Sequence, residues 1–223
     1  MRYRAIDQEQ KQARRESILD AARELFLRSG AVLPSAADIA HQAGLAKGTV
    51  YLYFRSKEAI FIALLDAEFA SLLEHLRLAC ESAGGGPAAV IDAFLAAYLP
   101  WLKQRPEFLQ LASLGHGVLE QSASRDNVLA FKTRLAANLA VTGETLCRKL
   151  RLPAAAGSDA GASLLLKSYA LTLGLWQALD YPPGLAQMLA DEKFQPLRPD
   201  FEQELASGLR QLWAGALLPE PVS

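Results

Sequence analysis

The chain has 223 residues, 51% of them apolar and 21% charged, with a formal net charge of −1; this is room for one large or two small domains of ordinary globular composition. The polar stretch from Arg2 to Arg15 reads against a signal peptide, and no run of about eighteen uninterrupted apolar residues is present to span a membrane. A pI near 6.3 speaks against nonspecific coating of nucleic acid, and the two distant cysteines, Cys80 and Cys147, are expected as free thiols in a reducing cytoplasm.

Helical periodicity dominates, and no segment alternates as a strand does. Residues 10 to 29 are predicted as an amphipathic helix with Ile18, Leu19, Ala22, Phe26 and Leu27 inward and Arg14, Arg15, Arg23 and Arg28 outward. Glu16, Asp20 and Glu24 interleave with the arginines, which disfavours a membrane-surface helix. The expected role is to brace the pair of short helices between Ser35 and Lys57.

That stretch reads SAADIAHQAGLAKGTVYLYFRSK: a short helix, a glycine turn and a second short helix. Ser35 with Asp38 three residues on forms a capping box that starts the first helix. In the second, Val50 and Phe54 share a face and are expected to pack on Ile39, Ala40 and Ala43. Leu52 then points away from that small core, flanked by Gly48 and Thr49. An outward leucine suits a thymine methyl in a major groove, Lys47 reaches a guanine edge or a phosphate, and Gly48 lets backbone approach closely. Tyr51 and Tyr53 carry phenols to either flank, and Lys57 adds a charge at the start of the next helix; both are placed for phosphate oxygens, as is Arg14 or Arg15 of the bracing helix.

At Ile39-Ala40, Ala43-Gly44-Leu45, Lys47-Gly48-Thr49, Tyr51, Tyr53-Phe54 and Ser56-Lys57, preceded by Ile18, Ala21, Ala22, Phe26 and Gly30, the chain resembles the TetR family of transcriptional regulators. The resemblance covers roughly the first sixty residues. It implies that Ser35, Lys47, Gly48, Thr49, Tyr51, Leu52, Tyr53 and Lys57 meet DNA, and that an all-α homodimer carries a C-terminal effector pocket. Two departures stand out. Ala46 occupies a position where the family has a polar cap, and Ala36 and Ala37 leave the first helix of the motif without a long polar side chain, so base reading falls on Lys47 to Tyr53.

Residues 1–57 carry ten Lys or Arg against six Asp or Glu, so the head is basic and the remainder acidic, as suits a chain whose two ends meet different partners. From Ser56 to about Ala83 a long helix bears Ile60, Leu64, Leu65, Phe69, Leu72, Leu73 and Leu76, a stripe that begins inside the head and links it to the rest of the chain. Gly84-Gly85-Gly86-Pro87 breaks it; lacking the Lys-Ser/Thr of a phosphate loop, it reads as a turn or hinge. Helices are predicted over 87–104, 106–120 and 125–152, then a loop from Pro153 to Gly161.

The last two predicted helices are Ala162 to Leu179, apolar nearly all round with Lys167 its one charge, and Asp200 to Leu218, with Phe201, Leu205, Leu209, Leu212 and Trp213 and small Gly208 and Gly215. Together they are expected to form a two-fold interface, a four-helix bundle in the dimer. Candidates for effector contact are Phe94, Tyr98, Trp101, Phe108, His116, Phe131, Asn138, Tyr169, Thr172, Trp176 and Gln177, apolar walls with a few polar groups.

His41, His75 and His116 show no metal-ligand spacing, and neither a nucleophile elbow nor a dinucleotide fingerprint occurs, so no catalytic residue, metal or cofactor is expected. The predicted fold class is therefore all-α, with a three-helix DNA-binding head over 1–57 and a helical effector-binding and dimerisation part over 58–223. The function expected is that of a ligand-responsive repressor on a pseudo-palindromic operator, in the cytoplasm. A regulator without a small-molecule effector is the nearest alternative, and an all-α binding protein or enzyme that has lost DNA the more distant one.

Overall fold

The computed structural model describes residues 2–30, 32–152 and 159–218, with backbone alone for residues 2–8 and His116. The described residues are helical, without a strand. The helices are α1 (Arg2–Arg28), α2 (Ala36–Gln42), α3 (Lys47–Tyr53), α4 (Lys57–Ser82), α5 (Pro87–Lys103), α6 (Pro106–Leu114), α7 (Glu120–Ser122), α8 (Arg125–Leu150), α9 (Ala160–Leu179), α10 (Pro183–Met188) and α11 (Phe201–Gly215). Two short elements were not legible in the sequence: α10 and the 3-10 turns of Glu192–Leu197, which stand where the periodic pattern lapses between the last two long helices. Of the loop predicted from Pro153 to Gly161, residues 153–158 lie outside the described residues, and α9 already begins at Ala160.

Helix boundaries follow local chemistry. The Ser56 hydroxyl accepts the Ala59 N–H at 3.2 Å and starts α4. Gly85 and Gly86 have φ of +91° and +95°, conformations that favour glycine, and Pro87 supplies the fixed φ of a first helical turn. The predicted helix 106–120 is interrupted: Gly115–Leu119 widen into a π-helical turn, closed by the Glu120 N–H on the Gly115 carbonyl. Two glycines there weaken the regular spiral.

The chain forms two compact units. One comprises Met1–Phe69 with Pro106–Arg134, and helix α4 passes from it at Phe69 into the second. Its core holds Ile18, Ala22, Phe26, Ile39, Val50, Ile60, Phe61 and Leu64, with Phe26 on Phe61 at 5.7 Å and Phe69 flanked by Phe108 and Phe131 at 5.2 and 6.2 Å. Arg23 of α1 joins buried carboxylates of two other helices: Nη2 donates to Glu68 Oε1 at 2.7 Å, and Nε lies 3.8 Å from Glu107 Oε1.

The second unit comprises Ala70–Arg105 and Leu135–Ser223. Here α5, α9 and α11 enclose Phe94, Tyr98, Leu164, Leu165, Thr172, Leu205, Leu209 and Trp213. Trp213 stacks on Phe94 at 3.8 Å between centroids, and Phe94 on Tyr98 at 5.1 Å. The polar atoms form a closed chain: the Thr172 hydroxyl donates to the Ser168 carbonyl, so the Tyr98 hydroxyl is the donor in their 2.9 Å contact, and Trp213 Nε1 donates to Ser168 Oγ at 2.8 Å. Burial holds the Tyr98 phenol well above its ordinary pKa, so it is a neutral donor. Cys80 is buried with its thiol pushed up to about 12, which makes it inert.

Candidate nucleic-acid interface

Helix α2 is fixed at both ends. Ser35 and Asp38 make the expected reciprocal box: the Asp38 N–H donates to Ser35 Oγ at 3.2 Å, and the Ser35 N–H to Asp38 Oδ2 at 3.3 Å. The Ser35 hydroxyl also lies 2.6 Å from Asp38 Oδ2 and donates to it, holding the Asp38 carboxyl below its ordinary value of 3.8. In this arrangement the Ser35 hydrogen is engaged within the chain and is not offered to a phosphate. A carboxylate with lowered pKa contributes stability that is full above the ordinary value and is lost as pH falls through the lower folded one. The difference in unfolding midpoint between wild type and Ser35→Ala is therefore expected to be present at neutral pH and to shrink below pH 3.8. A pH-independent difference would show that Asp38 is not part of the cap.

At its other end α2 closes on glycine. Gly44 has φ +66°, the Gly44 N–H donates to His41 O at 3.1 Å, and the Leu45 N–H to Ala40 O at 2.9 Å; these paired bonds are the Schellman termination. They set the angle at which α3 leaves. As the alanine at its N-cap implied, α3 starts without a side-chain cap.

Helix α3 buries one face and leaves the other open. Val50 and Phe54 are buried against Ile39 and Ala40, while Leu52 is 85% exposed. Lys47 and Gly48 are exposed, Thr49 and Tyr53 half-buried, and Tyr51 is exposed with the Lys47 ammonium 6.0 Å from its ring. A Cβ built on Gly48 would meet nothing within 4 Å, and Gly48 is not at positive φ. Nothing in the chain therefore requires glycine there, although glycine inside a helix costs about 0.5–1 kcal/mol relative to alanine.

An open recess of about 320 Å³ lies beside this face, lined by Ser35, Lys47, Tyr51, Arg55, Ser56, Lys57 and Glu58 among others. Three cations against one carboxylate make it an anion-facing surface. Of the residues expected at DNA, Ser35, Lys47, Tyr51 and Lys57 line this recess, and Arg55 and Ser56 join them there. Helical spacing could not place Arg55, because α3 ends at Tyr53 and Phe54 is extended.

The eleven candidate effector residues do not all fall in one unit. Phe108 and Phe131 belong to the first unit, around Phe69, with the His116 backbone in the π-helical turn; the His116 side chain lies outside the described residues. In the second, Phe94, Tyr98, Trp101 and Thr172 are buried, Asn138, Tyr169 and Trp176 are half-buried, and Gln177 is exposed. Sequence reading assigned Trp213 to a helix face but missed that it completes the Phe94–Tyr98 stack.

Residues 18–64 match the family described as bacterial regulatory proteins, tetR family, and residues 66–220 match the tetracyclin repressor-like C-terminal domain. The chain belongs to the tetR family. Among curated proteins, this tetR-family chain is 39% identical over 67 residues to the fatty acid metabolism regulator protein of Bacillus subtilis, covering 30% of this chain and 34% of that protein. It is 36% identical over 74 residues to the regulator TtgR of Pseudomonas putida, covering 33% and 35%. These matches span about a third of the length of the relatives. Over nearly the whole chain, the fold is that of a TetR/AcrR regulator from Thermobifida fusca (23% identity, TM-score 0.56, 91% of this chain and 98% of that one). It is also that of FadR from Bacillus subtilis in complex with stearoyl-CoA (19% identity, TM-score 0.57, 90% and 98%). No helix among the described residues is long and apolar enough to cross a membrane.

Proposed function

We propose that this tetR-family chain is a ligand-responsive transcriptional repressor that binds a pseudo-palindromic operator as a homodimer. The observation that carries the reading is the outer face of α3, where Leu52 stands 85% exposed beside a glycine that the fold does not require. A glycine inside a helix is unfavourable in solvent, whereas a thymine methyl and a closely approaching duplex backbone would give both residues favourable contacts. Lys47 and Thr49 complete the base-facing side, Tyr51 and Tyr53 stand on its flanks, and Lys57 and Arg55 line the phosphate side. Functionally the chain divides into a DNA-binding head over 1–57 and an effector and dimerisation part over 58–223, with α4 beginning at that division.

Dimerisation is assigned to α9 and α11. The two helices pack on each other in the protomer, Gly208 facing Leu171, and α9 still leaves Leu166 57% exposed with Ala170 and Gly174 beside it. An operator with half-sites one turn of the duplex apart requires the two recognition helices of such a dimer to stand about 34–36 Å apart. A small apolar molecule that binds the non-DNA arrangement more tightly would release the operator. The complex of FadR with stearoyl-CoA, and the fatty acid metabolism regulator to which the head is similar, make a fatty acyl-CoA the first effector to test. The closed Tyr98–Thr172–Ser168–Trp213 chain favours a second reading, a regulator with no small-molecule effector, because nothing polar there is left for a ligand. Stabilisation by stearoyl-CoA in a thermal-shift assay separates the two.

Selection of bound duplex from a random pool tests the DNA reading. Against the selected site, Lys47→Ala or Thr49→Ala is expected to relax preference at one base position by about 1–3 kcal/mol. Uniform weakening on all sequences would assign those residues to phosphates instead. Gly48→Ala should raise the stability of the free protein by about 0.5–1 kcal/mol while weakening operator binding; unchanged affinity would remove Gly48 from the contact surface.

A further inference from the structure

Periodicity predicted the first helix from residue 10, but α1 begins at Arg2. From Glu9 onward its first buried residue is Ile18; residues 9–17 are exposed except for the half-buried Arg15. From Glu9 the helix therefore runs about 14 Å, at 1.5 Å per residue, before it reaches the core.

The overhang has two sides. From Ile18 onward the row Ile18, Ala22 and Phe26 is buried. Continued upstream at the same helical register, that row passes through Arg15 and Lys11. Glu9, Glu16 and Asp20 occupy the far side. The face that is apolar in the core thus becomes basic where the core ends. Direction is set by packing: Phe26 lies on Phe61 of α4, while the Arg15 guanidinium lies over the ring of Phe54, directly after the recognition helix, at 5.3 Å. Toward its N-terminus α1 runs from the α4 packing to the end of α3 and continues beyond.

We propose that this overhang is a second DNA contact, laying Lys11 and Arg15 along phosphates outside the base pairs read by α3. It rests on the DNA-binding reading above. A rod with cations in one row fits a polyanionic backbone. It does not fit a membrane surface, because an interfacial helix needs an apolar face and residues 9–17 offer only Ala13.

The test uses the full chain and its selected operator, with Kd measured over a range of salt for wild type, Lys11→Gln and Lys11→Gln/Arg15→Gln. Each lost phosphate contact is expected to lower the slope of log affinity against log salt by about 0.9, without altering base preference. Trimming the duplex flanks should weaken wild type far more than the double variant. Lys11→Gln alone leaves the Arg15–Phe54 contact in place and guards against a folding effect. Equal salt slopes for wild type and both variants would overturn the proposal while leaving α3 as the reader. Capture of wild type, but not the double variant, on anionic phosphatidylserine vesicles with unchanged DNA slopes would overturn it in favour of a membrane. Absence of any specific duplex for the wild type would remove the DNA reading and the overhang contact together.

Discussion

Replacing Trp213 with alanine is expected to destabilise the protein by about 3–5 kcal/mol, a large part of the roughly 5–15 kcal/mol of a typical domain. Trp213 is fully buried on α11, its ring is stacked on Phe94 at 3.8 Å, and its indole N–H donates to Ser168 Oγ on α9. Removing it leaves a cavity against α5 and an acceptor without its donor, and both effects act in the same direction. Denaturant unfolding followed by circular dichroism measures the loss. Trp213→Phe keeps most of the stack and should cost distinctly less. A change below about 1 kcal/mol for the alanine variant would mean that the space is not closed, reopening it as a ligand site.

The second large effect is expected at Gly161. A Cβ placed there would fall onto the Gly143 carbonyl, and one on Gly143 would lie 2.5 Å from the Ala162 nitrogen. The obstacle is backbone on both sides, so no side chain can rotate away. Gly161→Ala is expected to cost about 2–3 kcal/mol even though alanine is the better helix former by about 1 kcal/mol. Gly174→Ala on the same helix meets open space and should be neutral or stabilising by up to about 1 kcal/mol. The contrast in urea midpoints between these two variants reports the α8–α9 contact. Equal midpoints would show that the helices can separate at no cost.

The head was legible because its chemistry is local. A capping box, a positive-φ glycine and a 3.6-residue period act over four or five residues, so Ser35–Asp38, Gly44 and the outward Leu52 could be read before any packing was known. Ser35 shows where that reading stops. Its place in the motif implied a DNA contact, but the carboxylate three residues on takes the hydroxyl hydrogen, and only geometry reveals which acceptor wins.

In the second unit, the composition of α5, α9 and α11 predicted buried helices but not how their aromatic and hydroxyl groups pair. Tyr98 and Thr172 are 74 residues apart and Trp213 and Ser168 are 45 apart, so no local spacing relates them. The candidate effector residues were grouped by residue type, and type does not distinguish the wall of a pocket from a satisfied core.

By itself, then, the sequence determined the all-α class, the helix-turn-helix with its buried and open faces, and the basic head on an acidic body, because propensity, capping and charge are properties of neighbouring residues. Tertiary structure alone decided that α1 runs far beyond its core contacts, that Arg55 joins Lys47 and Lys57 around one recess, and that Trp213 closes the Tyr98–Thr172–Ser168 chain. Those depend on which surfaces meet across long stretches of chain, and packing, not periodicity, makes that choice.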